Sequence, residues 1–217
     1  MEIAYRIIGY FNVASEGQDA EYQMKLIKAK PIGNYYWSGS SSNASNTWAN
    51  STLNKITLNG DAKGNYLHDL GEEWISKIAN HAWKVGRKSY SDSATAKQYY
   101  ETEVGASSSN TTYEAKIGLM YASDYGYGVS QANWTAALSN YNSAASNNWL
   151  YLGSSEWLIS CTSSGSYSAL RVYMTGSVYY NYINSSQYAV CPTFYLESNV
   201  FLSSGDGTIS NPYCIEN

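Results

Sequence analysis

Apolar and polar positions alternate in two stretches near the start of the chain, IAYRIIGYF (3–11) and YQMKLIKAKPI (22–32). A Gly/Ser/Asp-rich segment separates them, so the pattern predicts a β-hairpin. NYYWSGSSSNASNTWANS follows, polar apart from its aromatics Trp37 and Trp48, and reads as a loop. Ser51 or Asn50 then caps a short helix carrying Leu53 and Leu58. Helical spacing is clearest from Gly71 to His81. There Leu70, Trp74, Ile75, Ile78 and Ala82 recur on one face, and Glu72 and Glu73 suit the N-terminal dipole.

A second helix is expected in DSATAKQYYETEV, opened by Asp92 or Ser93. AKIGLMYASDYGY reads as a buried strand with a turn, and Trp134 to Leu138 as a short helix. From Trp149 onward only strands are expected: NWLYLG, EWLIS, ALRVYM, SVYYNYI, AVCPTFYLES and a last one near Tyr213. Helices in the first half and mostly antiparallel strands in the second make the fold class α+β, loop-rich. The aromatic spacing runs through without a linker, so residues 1–217 are read as a single domain. Trp48, Trp74, Trp83, Trp149 and Trp157 are expected inside, with Leu53, Ile78, Leu119 and Leu158.

Composition changes this picture in one respect. The chain holds 23 Tyr and 7 Trp against 3 Phe, amid much Ser, Asn and Gly. Tyr and Trp pair an apolar body with a polar tip, which suits half-buried sites and interfaces. The formal net charge of -4 argues against nucleic acid or an anionic membrane as the partner. No apolar run reaches the roughly 20 residues of a membrane span. MEIAYRIIGYF has neither the basic start nor the small-residue cleavage site of a signal peptide, so a leader or anchor is expected outside this segment.

Catalytic constellations are weak. His68 and His81 read as structural or solvated, and Glu72, Glu73 and Glu156 form no acid/base pair. Cys161, Cys191 and Cys214 fit no zinc spacing and allow at most one disulfide. The informative stretch is SGSYSALRVYMTGSVYYNYINSSQYAV (164–190), which has the Tyr/Ser/Gly/Asn palette of natural paratopes. Strand alternation turns Leu170, Val172 and Val178 inward and Arg171, Tyr173 and Tyr179 outward. The competing reading lays these tyrosines flat on a polar sheet, where cross-strand pairing stabilises it.

Four segments, TWANSTLNKITLNGDAKGNYLHDLGEEWISKI, KIGLMYASDYGY, NWLYLGSSEWLIS and YAVCPTFYLESNV, occur in the order found in a family of gut-bacterial surface domains, which the chain resembles over residues 3–215. That family is similar to the C-type-lectin-like fold in the version of the formylglycine-generating (sulfatase-modifying) enzymes. Variable proteins of diversity-generating retroelements use the same fold, with the diversified segment near the C-terminus on the ligand-binding face. The resemblance implies such a segment at 157–195. Two positions depart from the family pattern: Cys191 stands where Arg is usual in Val-Arg-Pro, and Cys161 where Pro or Arg follows Ile-Ser. Loss of that Arg removes any buried ion pair it makes. In this fold the two strands are neighbours, so Cys161 and Cys191 are expected close together or bonded, with Cys214 free. Lectin relatives also suggest calcium at Asp206, against the plainer reading of Asp-Gly-Thr as a strand-connecting turn.

The expected function is therefore a ligand-binding module of receptor or adhesin type, not an enzyme, displayed outside the cell or on its surface. Its ligand surface would comprise Tyr167, Ser168, Arg171, Tyr173, Tyr179, Tyr180, Tyr182, Asn184 and Tyr188, facing a protein or carbohydrate on a cell or phage, with no cofactor or metal. A structural domain of a surface or pilin-like protein is the alternative. A formylglycine-generating oxidase is more distant, because the cysteines lack the spacing of its copper pair.

Overall fold

The first hairpin forms as its alternation predicts, and the rest of the molecule is arranged around the question of which faces of its strands are covered. The computed structural model describes residues 4–14, 18–39, 46–85, 87–88, 93–105, 111–143, 147–162 and 167–216. Strands β1 (Tyr5–Asn12) and β2 (Tyr22–Lys28) pair antiparallel, with a bulge between Ile7 and Gly9. Strand β3 (Asn34–Tyr35) is a short extended piece, followed by a 3-10 turn at Trp48–Asn50 and a single π-helical segment at Leu53–Leu58.

The expected helix over 71–81 is shorter than its apolar spacing suggests. Two brief helices, α1 (Tyr66–Leu70) and α2 (Glu72–Lys77), meet at Gly71, whose φ of 80° favours glycine and breaks the run. Beyond Lys77 the chain is captured as an extended segment. Ile78 bridges Leu196, Ala79 N–H donates to the Tyr195 carbonyl, and Lys116 Nζ closes α2 on the carbonyls of Ile75 and Ile78. Strand β4 (His81–Val85) and the two-residue β5 (Arg87–Lys88) follow.

Helix α3 (Ala96–Glu103) is opened by Thr95, whose hydroxyl accepts from Gln98 N–H while the Gln98 side chain takes Thr95 N–H. The expected caps fall elsewhere: Ser93 lies in the preceding turn, and Asp92 lies outside the described residues. Strands β6 (Thr111–Ala115) and β7 (Ile117–Gly118) come next. The second half of AKIGLMYASDYGY is helix α4 (Ala122–Tyr127), not strand. Glu103 secures its start, with its two carboxylate oxygens accepting from Ala122 N–H and Ser123 N–H at 3.0 Å each. The expected helix at 134–138 is replaced by 3-10 turns at Gln131–Asn133 and Leu138–Ser143.

NWLYLG is a turn rather than a strand, because Asn148 ties it to α4 through Nδ2 to the Tyr125 carbonyl at 2.8 Å. The remaining strands are β8 (Glu156–Thr162), β9 (Ser168–Val172), β10 (Val178–Tyr182), β11 (Tyr188–Ala189), β12 (Thr193–Tyr195), β13 (Phe201–Ser204) and β14 (Cys214–Glu216). One sheet runs β1-β2-β12-β7. A second runs β10-β9-β8-β11-β3, with β5 also beside β8, and β4-β6 and β13-β14 each form a two-stranded ribbon. Most pairings are antiparallel; β8 pairs in parallel with β11 and β5. The class is α+β, mixed and strand-dominated.

Both faces of β8 and β9 are covered. Trp157, Ile159, Cys161 and Ala169 join one core cluster, while Leu158, Leu170, Val172 and Val178 join the other. Trp48, Trp83 and Trp157 are buried as expected, with Leu53, Ile78, Leu119 and Leu158, and Trp74 packs half-buried against the first cluster. Trp149 departs: its ring is 42% exposed, because the turn that carries it stands at the mouth of a cleft. Gly118 is required by this packing, since a Cβ there would lie 2.7 Å from the Trp83 indole.

Cys161 and Cys191 do not meet. The Cys191 thiol, two residues past β11, reaches the Glu156 side chain at the start of β8, and Cys161 lies five residues further along that strand. At about 3.3 Å per residue this is about 16 Å, well beyond the roughly 7 Å limit for a bridge. They also belong to different core clusters, and all three cysteines are thiols. Asp206 Oδ1 accepts from Thr208 N–H at 2.9 Å inside the β13–β14 loop, as in a strand-connecting turn.

Candidate functional site

Two surfaces carry chemistry. The first is the sheet end built by β9 and β10. Register pairs Val178 with Val172, Tyr179 with Arg171 and Tyr180 with Leu170. The inward expectation holds for Leu170, Val172 and Val178, none more than 1% exposed. Because β10 is the edge strand, its tyrosines emerge: Tyr179, Tyr180 and Tyr182 are exposed, as are Tyr173 in the β9–β10 turn and Tyr167 before β9. Tyr179 and Tyr180 stack, with centroids 4.9 Å apart and planes 12° from parallel.

Arg171 corrects the expectation that it faces outward. It is only 8% exposed, because Tyr173 and Tyr188 close over it with each ring centroid 4.5 Å from the guanidinium carbon. Tyr188 is itself held edge-on against buried Trp157 at 4.8 Å. Nη1 donates to Ser155 Oγ at 2.9 Å, while Nε is buried without a hydrogen-bond partner. Among the described residues no carboxylate forms an ion pair with it. Burial pulls its pKa down, partly offset by the phenols of Tyr188, Tyr173 and Tyr179.

Ser168 is likewise buried rather than displayed. It lies on β9 between two strands, and its carbonyl accepts from Asn46 Nδ2 at 2.9 Å. Tyr182 is paired with Ser168, and the Tyr167 carbonyl accepts from Ile183 N–H, so Tyr167, Tyr182 and exposed Asn184 collect at the opposite end of the hairpin. They stand about 10 Å along the strand from Arg171. The structure thus gathers Arg171, Tyr173, Tyr179, Tyr180 and Tyr188 into one group and leaves Tyr167, Ser168, Tyr182 and Asn184 apart. Within the described part of segment 157–195, exposure is confined to the β9–β10 turn, the edge strand and the residues just beyond each end; β8 and β9 are core.

The second surface was not anticipated from the sequence. A cleft of about 590 Å³ opens between the first sheet, β4 and α4. On its floor Lys25, wholly buried on β2, meets Asp124 of α4, with Nζ to Oδ2 at 2.5 Å. The ammonium is boxed by aromatic rings: Tyr121 at 4.4 Å, Tyr195 at 5.3 Å, Phe11 at 5.5 Å and Trp83 at 5.6 Å. Burial alone would depress the Lys25 pKa, but Asp124 and Tyr195 more than offset it and the net direction is upward. Tyr121 N–H also donates to Asp124 Oδ2, at 2.8 Å.

His81 lies beside this pair, stacked on Tyr195 with centroids 3.8 Å apart. Burial first, then the charges of Lys25 and Lys84, push its pKa down to about 3, so the imidazole is neutral. Tyr100, Tyr127 and Trp149 rise around the mouth, all more than a third exposed. A lysine flanked by Met24 and Leu26 in a strand buried on both faces was the available signal. Its acidic partner, 99 residues away, lies in a segment read as a strand with a turn. No family model, curated protein or solved structure matches the chain.

Proposed function

We propose that this chain is a ligand-binding module with a C-type-lectin-like fold, displayed at or outside the cell surface, whose β9–β10 face recognises a protein or carbohydrate. The observation that carries this reading is the state of Arg171. A cation sandwiched between two tyrosines, with a buried unpaired Nε and no acidic partner among the described residues, is costly in a purely structural sheet. It is suited to a surface that completes its bonding with a ligand. The exposed, stacked tyrosines beside it supply contact area at low entropy cost.

Support for the fold comes from β12, close to the C-terminal end, pairing with β2 and so returning the chain to its N-terminal hairpin. Diversification by a retroelement is consistent with exposure concentrated on β10 and its flanking turns. It predicts that sister genes vary at 173, 179, 180 and 182 and hold 170, 172 and 178 constant. An oxidase of the formylglycine-generating type is disfavoured by Cys161 and Cys191 lying in separate core clusters.

The test is a screen of the soluble chain against surface proteins and glycans, followed by Arg171→Gln and a Tyr173/Tyr179/Tyr182→Ser triple variant. Binding lost in both with the fold retained supports the reading. Binding unaffected by either removes it.

A further inference from the structure

The cleft over Lys25 and Asp124 is separate from the Arg171 face, and its chemistry is more restrictive. Both hydrogen bonds to Asp124 converge on Oδ2, and among the described residues Oδ1 accepts none. The carboxylate is held rigidly by a buried ammonium and a backbone N–H, with one oxygen left open to the cleft. His81 adds a neutral donor and acceptor whose ring nitrogens bond no described protein group, in a fixed orientation set by Tyr195. The turn bearing Trp149 is held in place as well. Its carbonyl takes the Arg6 guanidinium, its N–H reaches the Gly128 carbonyl at 3.3 Å, and Asn148 anchors it to α4. Tyr127, beside the Gly128 that holds this turn, is steadied edge-on by Trp134 at 5.1 Å.

We propose that this cleft binds an uncharged sugar ring, with a C–H face against Trp149 and Tyr127 and hydroxyls directed to Asp124 Oδ1 and His81. Charge decides against the alternatives. Lys25 and Asp124 cancel, and His81 is neutral, so the floor offers no net charge to an ion. An anion meets the open carboxylate oxygen, and a cation meets Lys84 at the rim. A wholly apolar ligand would desolvate Asp124 and His81 without replacing their water, which is unfavourable. The volume falls in the range of about 300–1,000 Å³ typical of small-ligand pockets. This inference does not rest on the Arg171 face.

The experiment is saturation-transfer NMR and calorimetry with the methyl glycosides of glucose, galactose, mannose and N-acetylglucosamine, with glucosamine and sialic acid as charged controls. At least one neutral glycoside should bind and the charged sugars should bind more weakly. Trp149→Ala and Tyr127→Ala should each weaken it by about tenfold or more while the melting temperature holds. Affinity should stay flat from pH 5 to 8, because His81 does not titrate there. The Tyr173/Tyr179/Tyr182→Ser variant should bind the glycoside normally, which separates this site from the other face. Absence of binding by all four neutral glycosides overturns the proposal. So does binding that is indifferent to both aromatic variants, or that prefers a charged sugar.

Discussion

Replacing Asp124 by Ala should destabilise the protein more than any surface change, and the structure sets the scale. Lys25 is 0% exposed and its partner's side chain 6%, so the ammonium left behind is buried and, among the described residues, has lost its anion. The surrounding rings of Tyr121, Tyr195, Phe11 and Trp83 offer cation–π contact but no anion. Breaking such a buried pair costs about 3–5 kcal/mol. With roughly 2–4 °C per kcal/mol for a chain of this size, the melting temperature should fall by about 6–20 °C. A Lys25→Met/Asp124→Leu double variant removes both charges and should lose much less than Asp124→Ala alone. The folded-state pKa of Lys25 is raised above its ordinary 10.5. The pair's contribution is therefore complete below about pH 10 and is lost as pH rises through the folded value. Circular-dichroism melts of wild type and both variants at pH 7, with urea titrations at pH 7 and 10.5, measure all of this. A melting temperature for Asp124→Ala within about 2 °C of wild type would refute the reasoning, since it would mean that water or another acid reaches Lys25.

On the β9–β10 face, Tyr179→Ser and Tyr182→Ser should each change stability by about 0.5 kcal/mol or less, whereas Leu170→Ala should cost about 2–5 kcal/mol; parallel melts compare them, and equal losses would place the tyrosines in the core. Glu156 is wholly buried beside Cys191, and burial lifts its pKa to about 8 from an ordinary 4.5, so the folded state holds a proton that the unfolded chain releases. Stability should consequently decline as pH rises from about 4.5 to about 8 and level off above, a slope that Glu156→Gln flattens in urea midpoints. A thiol reagent under native conditions should label Cys214 quickly and leave Cys161 and Cys191 unmodified until denaturant is added, with mass spectrometry assigning the sites.

Periodicity located most strands because a half-covered strand writes its pattern locally. β1 shows this, and Leu170, Val172 and Val178 point where alternation sends them. It failed where coverage or capture is decided at a distance. Arg171 lies on the face that alternation assigns to solvent, yet Tyr188, seventeen residues later, folds over it. The helical spacing through Ile78 and Ala82 is real, but Gly71 interrupts the run and pairing with Tyr195 and Leu196 converts its end to extended chain. Ser-Asp-Tyr in the α4 segment reads as a turn until Glu103 is seen to cap it. The cleft was the least legible feature, because its floor joins residues 25, 81, 124 and 195, and no local window holds two of them.

The returning strand has a consequence for how the molecule is made. The sheet β1-β2-β12-β7 is assembled from residues 5–28, 117–118 and 193–195. Its inner strand β2 stays unpaired on one side until residues 193–195 have been synthesised. Contacts this distant in sequence slow folding. They also leave the hairpin edge open to wrong partners on the ribosome. Truncation before residue 195 should therefore leave a chain unable to complete the sheet. A lineage that varies the residues of β10 does so just upstream of the strand that closes the fold, and every new surface must still allow β12 to dock on β2.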